Sequence, residues 1–356
     1  MMPPNASDES PPERGRSGVS PAAFDLLGPA EIVRAAETAL GLRLDGTVSA
    51  YPSYINRVYG LRREDGGELV AKFYRPGRWS PEALAEEHRF VRDCAEAELP
   101  VAAPLELAGG GSLGELRLEV ETGGETAIRF ALYPKMGGRN FDAERDEDWL
   151  RLGALVGRCH AVGALGRAEH RPTCDPVLLT VPLAQGLLDQ GLVHPKLEDE
   201  FADLCSETLE SIIPLFQPIA YGRIHGDCHR GNILDRPGEG LMLIDFDDMM
   251  TGPAVQDLWL LLPDRAGLCV RELELLIEGY EPFSRFDRRE LALIESLRFM
   301  RMVYFLAWRS RQRGDAWFAR EFPDWGGEAF WIRELEDLRD QARVIGQELA
   351  GEARLT

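Results

Sequence analysis

The amino-acid sequence predicts a two-lobed α+β fold, in which an antiparallel-sheet lobe with one central helix precedes a mostly helical lobe. Three observations support this prediction. The 356 residues correspond to about two domains at the usual ~150 residues each. The first third contains strand-like runs joined by glycine turns, and nearly every segment after residue 138 has a helical period. We therefore expect residues 21–135 to form the first lobe and residues 136–356 the second.

Composition excludes several classes of protein. The 40 Lys and Arg against 60 Asp and Glu give a formal charge of −20, which disfavours a nucleic-acid partner or an anionic membrane surface. The longest apolar runs are far shorter than the ~18 residues that a bilayer span needs. Residues 1–20 lack the apolar stretch of a secretion signal. The six cysteines are widely spaced and form no C-x-x-C pair, which in a chain without such a signal favours reduced thiols. We expect a cytoplasmic protein.

The elements of the first lobe follow in order along the chain. Residues 1–20 have little apolar content and two proline pairs, which is typical of a disordered tail. Apolar side chains then recur at helical spacing over Pro29–Leu40. The period next becomes that of strands, with a glycine turn before the last of three runs, which are 47–51, 55–61 and 69–74. These runs predict an antiparallel meander.

One helix interrupts the strands of the first lobe. Ser80 and Pro81 are typical of an N-cap followed by a first helical residue. The apolar residues that follow share one helical face with Glu87, so we expect Glu87 on the buried face of this central helix. Two further strands, 116–120 and 127–133, complete the lobe.

The second lobe is helical with one exception. Helical periods predict five helices, at 149–162, 196–213, 273–280, 289–311 and 331–349. The exception is residues 221–248, where two short β runs flank a turn at residues 237–240. This β-hairpin lies in the part of the chain that is richest in chemically active side chains.

The most informative stretch begins at His225 and reads His-Gly-Asp-Cys-His-Arg-Gly-Asn, followed by the predicted hairpin and then Asp245. The stretch thus contains an Asp, an Asn five residues later and a second Asp after the hairpin. Phosphoryl transfer from a nucleoside triphosphate requires this arrangement. One carboxylate accepts the proton of the attacking hydroxyl, while an amide oxygen and the other carboxylate hold Mg²⁺ against the phosphates. We predict Asp227 as the base and Asn232 and Asp245 as Mg²⁺ ligands, which makes Asp245 catalytic as well.

Lys72 lies on a predicted strand, ahead of the helix that carries Glu87. Only three of the 40 basic residues are lysines, so each remaining lysine invites a specific explanation. In kinase-like sites a strand lysine binds the nucleotide phosphates and is held by a helix carboxylate. We predict that Lys72 contacts the phosphates and that Glu87 is its partner. Glu86 is the rival, and helical phase is the reason to prefer Glu87.

A G-x-G-x-x-G match at residues 109–114 is interpreted as a hairpin turn. A dinucleotide site needs a helix after the glycines, whereas Gly114 leads into strand-like sequence, and a kinase glycine loop would precede the strand of Lys72. The equivalent place between the first two strands, residues 50–56, contains no glycine. There we predict that the Ser53 hydroxyl and nearby backbone N–H groups contact the phosphates.

Other side chains near the informative stretch leave alternatives open. His225, Cys228 and His229 offer zinc ligands, but one short loop can hardly wrap them around a tetrahedral ion. Cys228 is hypothesised to be open to oxidation, because it adjoins the base. Asp257 opens a helix, where its carboxylate either bonds backbone N–H groups of the catalytic loop or is a plain first-turn acid. The aromatic residues between 308 and 331 are interpreted as core.

Several long strings resemble one known family. They are 53–59, 70–79, 100–104, 225–229, 252–259 and 298–304, and the resemblance as a whole covers roughly residues 25–335. The chain resembles the aminoglycoside-phosphotransferase-like branch of the protein-kinase fold, and within it bacterial serine/threonine protein kinases of the stress response. The resemblance covers both predicted lobes.

The resemblance implies a monomeric, ATP- and Mg²⁺-dependent kinase that phosphorylates Ser or Thr of itself and of other proteins. Under it, Asp227 accepts the proton, Asn232 and Asp245 bind Mg²⁺, Ser53 touches ATP and Lys72 binds phosphate. The N-terminal extension and the C-terminus depart from the family's pattern, so sites of self-phosphorylation cannot be transferred.

Two competing functions remain at this point. A small-molecule phosphotransferase, acting on an aminoglycoside, choline, homoserine or sugar hydroxyl, would use every one of the same catalytic residues. The openness of the second-lobe side of the cleft discriminates it from a protein kinase. A non-catalytic nucleotide-binding scaffold is disfavoured, because the base, both metal ligands and the phosphate-binding lysine are all present.

Overall fold

The computed structural model of the protein describes residue 24 and residues 26–53, 55–119, 124–314 and 318–351. The predicted disordered tail, residues 1–20, lies outside the described residues, as does the end of the predicted strand at Val120. The described residues form an antiparallel sheet lobe followed by a mostly helical lobe. The predicted α+β kinase-like fold class is confirmed.

The first lobe contains a five-stranded antiparallel sheet with the strand order β1-β2-β3-β5-β4. Its strands are β1 (Leu44–Tyr51), β2 (Arg57–Arg63), β3 (Glu68–Phe73), β4 (Gly114–Glu119) and β5 (Glu125–Pro134). Helix α1 (Pro29–Leu40) has the predicted bounds and buries Ile32 and Ala36 in a core shared with one face of the sheet.

Helix α2 (Pro81–Glu96) begins where the sequence predicts, because the Ser80 hydroxyl accepts a hydrogen bond of 3.2 Å from the Ala83 N–H. Strand alternation decides what β3 presents on each face. Leu69, Ala71 and Phe73 join the core on the α1 side, so Lys72 points the other way, into the space between the lobes.

The second lobe is built on helices whose apolar stripes form one large core. They are α3 (Asp146–Gly163), α4 (Val181–Asp189), α5 (Glu198–Phe216), α6 (Val255–Trp259), α7 (Val270–Tyr280), α8 (Ile294–Ser310), α9 (Phe318–Glu321) and α10 (Glu328–Leu349). Helix α8 is shorter than predicted, because a 3₁₀ segment, Arg288–Leu293, forms its first part. Among the described residues no helix is both long and apolar enough to cross a bilayer.

Two small sheets hold the loops that carry the candidate site. The strands are β6 (Arg139–Asn140), β7 (Gly222–Ile224), β8 (Ile233–Arg236), β9 (Gly240–Leu243) and β10 (Met250–Gly252). The predicted hairpin is β8 and β9, and β7 pairs with β10. The loop after β7 begins at His225 and the loop after β9 begins at Ile244. The two loops are adjacent, because His225 Nε2 lies 2.9 Å from the Ile244 carbonyl oxygen.

Helices α3 and α7 meet backbone to backbone through glycines. A Cβ atom on Gly153 would overlap the backbone oxygen of Leu276, and one on Gly279 would overlap the backbone oxygen of Leu150. A Cβ on Gly157 would come within 2.6 Å of the Tyr280 oxygen. Only glycine allows this approach, which brings α7 close under the site.

The lobes are joined by the segment after β5, which ends at Pro134. The Lys135 ammonium points outward, 2.7 Å from a carboxylate oxygen of Glu68. Tyr133, Pro134 and Met136 line the cleft between the lobes. The predicted division at residues 135 and 136 stays a prediction.

Candidate active site

The cleft between the lobes has a volume of about 330 Å³. Its walls are mostly apolar and include Val58 and Val70 of the sheet, with Leu234 and Ile244 of the second lobe opposite. A few polar side chains converge at one end. A concave, apolar site with a few convergent polar groups is typical of a small-molecule ligand.

Lys72 is the central polar group of this cleft and is 8% exposed. Its Nζ lies 2.8 Å from Oδ1 of Asp245 and 3.4 Å from Oδ1 of Asp247. Burial alone would lower the pKa of Lys72, but the two carboxylates outweigh it and hold the pKa well above the ordinary value. Lys72 is therefore a permanently charged cation aimed into the cleft.

Glu86 and Glu87 have different surroundings. The Glu86 carboxylate accepts hydrogen bonds of 2.8 Å from the backbone N–H groups of Glu169 and His170. Glu87 lines the cleft, and burial raises its pKa to about 7 although the charge of Lys72 opposes the rise. The ion pairs that Lys72 forms within the described residues are with the aspartates, not with Glu87. The role of Glu87 as a partner of Lys72 stays a prediction.

The loop after β7 is held from below by Asp257. Its carboxylate accepts hydrogen bonds of 2.7 and 2.8 Å from the N–H groups of His225 and Gly226. Of the two alternatives for Asp257, the bond to the backbone of the loop that carries Asp227 is thus the one that is observed. His160 Nε2 lies 2.8 Å from the same carboxylate, and the Tyr280 hydroxyl lies 3.1 Å from His160 Nδ1. No local motif in the sequence marks His160 or Tyr280.

His225 and Gly226 fix the shape of this loop. Gly226 has a φ of 83°, and a Cβ there would overlap the backbone oxygen of Asp248, so only glycine fits. The Asp227 N–H donates to His225 Nδ1 over 3.3 Å, which leaves the ring proton on Nε2. Nε2 then donates to the Ile244 carbonyl over 2.9 Å and ties the loop to the residue before Asp245.

Asp227 lies beside helix α8, at a small cavity of about 90 Å³. Arg301 Nη2 donates to Asp227 Oδ1 over 2.7 Å, and His229 Nε2 lies 3.5 Å from Oδ2. Burial would raise the pKa of Asp227, but the contacts with His229 and Arg301 outweigh it, so the pKa is well below the ordinary value. Sequence reasoning missed Arg301, whose only signal was the resemblance of the string 298–304.

Asn232 and Asp245 are the predicted metal ligands. The Asn232 amide nitrogen donates to the Asp227 carbonyl over 2.9 Å. This bond uses the nitrogen and not the oxygen of the side-chain amide. The Ile244 N–H donates to the backbone carbonyl of Asn232 over 3.0 Å, and this bond holds the residue before Asp245 against Asn232. Asp245 has a φ of 61° and a side chain that is 54% exposed.

These donors fit Mg²⁺. Mg²⁺ favours carboxylate and amide oxygens and takes only one or two protein ligands where phosphates and waters supply the others. In the described part of the chain no group of three or more His, Cys, Asp or Glu could hold a metal ion.

A buried set of charges joins the lobes behind the site. Arg78, from the loop after β3, donates over 2.5 Å to Asp247 and over 2.6 Å to Asp248. Asn56 Nδ2 donates to Asp247 over 3.2 Å, and the Tyr304 hydroxyl donates to Asp248 over 2.9 Å. Burial would raise the pKa of Asp247, but the neighbouring cations, above all Arg78, hold it well below the ordinary value. Nothing local in the sequence predicts these pairs.

The remaining sequence predictions have mixed outcomes. Ser53 lies at the edge of the cleft, in the turn between β1 and β2, and its contact with phosphate stays a prediction. Gly110 and Gly111 have φ values of 85° and 72° in a turn before β4, so the glycine match is a turn. Cys228 is fully buried and burial raises its pKa, which disfavours the oxidation hypothesis.

The aromatic residues interpreted as core differ in location, because some are buried and one lines a groove. Trp325 and Phe330 have ring centroids 4.6 Å apart, and Trp331 is buried with its indole N–H donating to the Leu192 carbonyl. Trp308 instead lines a groove between the lobes. Trp317 lies outside the described residues.

Comparisons with known proteins agree with this geometry. Residues 47–294 match the model of the phosphotransferase enzyme family. Stress response kinase A of Escherichia coli (strain K12) is 37% identical over 306 residues, which cover 86% of this chain and 90% of the relative. Serine/threonine protein kinase RdoA of Salmonella typhimurium (strain LT2) is 35% identical over 323 residues, which cover 90% of this chain and 94% of the relative.

A solved structure supports the fold. The amicoumacin kinase hAmiN, in complex with AMP-PNP, Ca²⁺ and Ami, superposes with a TM-score of 0.66 at 18% identity, covering 90% of this chain and 95% of that chain. At this identity the likeness bears on the fold alone. The family match and the two relatives each cover well over half of the chain. The chain therefore belongs to the phosphotransferase enzyme family.

Proposed function

We propose that this protein is an ATP- and Mg²⁺-dependent kinase that transfers the γ-phosphate to Ser or Thr of proteins, itself included. The observation that carries the proposal is the contact of Lys72 with the Asp245 carboxylate in the cleft, together with the hydrogen bonds that tie the loop of Asp227 to Ile244, the residue before Asp245. Relatives at 35–37% identity named stress response kinase A and serine/threonine protein kinase RdoA support a protein acceptor. We also propose that the protein is cytoplasmic and monomeric.

The proposed chemistry divides among the site's side chains. Lys72 binds the nucleotide phosphates, with Ser53 as a further donor from the turn between β1 and β2. Asp227 orients the acceptor hydroxyl and takes its proton, and Arg301 and His229 keep that carboxylate ionised and in place. Glu87 adds a carboxylate near Lys72. These groups act mainly by positioning and electrostatics, as phosphoryl transfer requires.

Asn232 and Asp245 would hold Mg²⁺ through oxygen atoms. Held there, Mg²⁺ would supply positive charge against the charge that develops on the phosphates. The bond from the Asn232 amide nitrogen to the Asp227 carbonyl couples the base loop to this ligand pair. This bond would keep the proposed base and the proposed metal ligands at a fixed distance from each other.

The test is replacement of the base. Wild type and Asp227→Ala are incubated with γ-labelled ATP and Mg²⁺, and phosphorylated residues are mapped. We expect label on Ser or Thr of the wild type, a loss of at least about 1,000-fold in Asp227→Ala, since base and orientation effects multiply, and ATP binding retained. Asp203→Ala, an exposed Asp on α5 without a described contact, is the matched control.

Two results would contradict the proposal. Undiminished labelling of Asp227→Ala would remove the mechanism. ATP consumption that labels no protein and appears only with an added small alcohol or amine would move the acceptor to a small molecule. The small cavity beside Asp227 is the feature that favours this second candidate.

A further inference from the structure

A second groove lies between the lobes, on the far side of Arg78 from the cleft. It has a volume of about 420 Å³ and is lined by the loop at Arg75–Trp79, by Leu179 and Leu183, and by the end of α8. Leu179, Tyr304 and Trp308 belong both to this groove and to the small cavity beside Asp227. The groove is therefore continuous with the place where an acceptor hydroxyl must lie.

The charge of this groove is opposite to that of the molecule. The chain has a net charge of −20, yet the charged side chains of the groove lining are all arginines: Arg75, Arg78 and Arg311. Arg78 is already paired with the aspartates behind the site. Arg311, exposed at the end of α8, forms no ion pair with any described residue. A cation without a partner at the rim favours an anionic group in the occupant.

The groove also holds two buried polar atoms without hydrogen-bond partners. Among the described residues these are the indole Nε1 of Trp79, a donor, and the Oε1 of Gln312, an acceptor. Gln312 is 1% exposed, and its amide nitrogen already donates to the Trp308 carbonyl over 3.2 Å, which fixes Oε1 as the free atom. Buried unpaired polar atoms are costly, so each favours a partner.

Trp79 Nε1 and Gln312 Oε1 are a donor and an acceptor, the two kinds of partner that the C=O and the N–H of a peptide group take. A small alcohol would occupy the cavity beside Asp227 and leave the groove unused. We propose that the groove binds an extended segment of the protein acceptor, with an acidic side chain near the phosphorylated hydroxyl placed against Arg311. This inference rests on the proposed protein-kinase function and specifies its substrate class.

The test uses the full chain and two synthetic peptides. Each has a central Ser, flanked by Asp and Glu in one peptide and by Lys in the other. Affinity is measured by titration calorimetry, and phosphate transfer by labelled ATP. We expect the wild type to bind the acidic peptide about 3- to 10-fold more tightly, as one partly desolvated ion contact allows. In Arg311→Glu the preference should vanish or reverse, with the KM for ATP unmoved.

Arg89→Glu is the matched control, because Arg89 is an exposed arginine on α2, outside the groove and without a described contact. It should keep the preference of the wild type. Equal binding of both peptides, or binding of neither, overturns the groove inference even if proteins are phosphorylated. Binding selective for the acidic peptide, lost in Arg311→Glu but followed by no transfer from ATP, supports the groove and refutes the protein-kinase proposal instead.

Discussion

Arg301 is the residue that holds the carboxylate of Asp227, the base in our proposal. It reaches Asp227 from α8, packs its guanidinium 4.9 Å from the Phe305 ring centroid, and is itself only partly exposed. A charge-assisted hydrogen bond in such a place is stronger than a surface ion pair. Arg301 therefore holds one carboxylate oxygen in a fixed direction while the other faces His229.

Replacement of Arg301 should slow the reaction without weakening nucleotide binding. We expect Arg301→Met to lower kcat about 10- to 100-fold, because a hydrogen bond to a charged group contributes about 1.5–3 kcal/mol. The KM for ATP should stay within about twofold, since Arg301 lines the cavity at Asp227 and not the cleft of Lys72. Steady-state kinetics with varied ATP separates the two parameters.

Arg301→Lys should recover part of the rate, because a lysine at this position keeps the charge and loses the planar fork. If Arg301→Met retained the kcat of the wild type, the positioning role of Arg301 would be wrong. A fall in kcat accompanied by an equal loss of folded protein would assign Arg301 to stability alone.

At the scale of elements, the short helix α6 depends on a buried carboxyl outside it. Glu290, in the 3₁₀ segment before α8, accepts a hydrogen bond of 2.8 Å from the Val255 N–H at the start of α6. Burial raises the pKa of Glu290 to about 7, although the backbone bond and the charge of His160 oppose the rise. The same helix presents Asp257 to the catalytic loop, so its stability matters to the site.

This carboxyl makes stability depend on pH. Its folded pKa of about 7 exceeds the ordinary 4.5, so the folded state holds a proton that the unfolded state releases. A penalty therefore develops as pH rises from about 4.5 to about 7. We expect Glu290→Gln, which keeps the acceptor, to gain about 1–3 kcal/mol of stability relative to wild type between pH 5 and pH 8.

Urea unfolding of both proteins at the two pH values checks this prediction. Glu278→Gln, at an exposed position of α7 without a described contact, is the control and should show no such gain. A stability difference between Glu290→Gln and wild type that is the same at pH 5 and pH 8 would contradict the prediction.

Elements were predictable where a period runs for several turns. Helix α1 has the predicted bounds, and the hairpin of β8 and β9 lies where the sequence indicates it. Helix α4 was missed because its nine residues include an early proline and no clear stripe, and the three-residue strands β7 and β10 are too short for any period. Asp227, Asn232 and Asp245 could be proposed from the sequence because their spacing is local, and their roles stay predictions. Arg78 and Arg301 could not be proposed, because their partners are distant in sequence.

At the scale of the whole molecule, buried charges fix the lobes to each other. Arg78 of the first lobe has a side chain 7% exposed and is bound to Asp247 and Asp248 of the second. Arg171 of the second lobe holds the Asp247 backbone oxygen and also packs its guanidinium 3.9 Å from the ring centroid of Trp79 of the first lobe. Because separation of such a pair would leave an uncompensated buried charge, these pairs favour one relative arrangement of the lobes.

Loss of Arg78 should therefore destabilise the protein. We expect Arg78→Met to cost about 3 kcal/mol, because a buried carboxylate loses its main partner. Chemical denaturation measures the change. Arg288→Met is the matched control, since its pair with Glu274 is about half exposed, and it should cost less than about 1 kcal/mol. Equal effects of the two substitutions would show that the pairs of Arg78 do not join the lobes in the way described.

The glycine contact between α3 and α7 has a consequence for how such chains diverge. Gly153 and Gly279 can accept no side chain unless a whole helix moves, and the same approach sets the distance from Tyr280 to His160. Substitution at these two positions should therefore not be tolerated, although neither glycine lines the cleft or the groove. In any lineage that keeps this architecture, the two glycines should persist even where the residues that contact the substrate have changed.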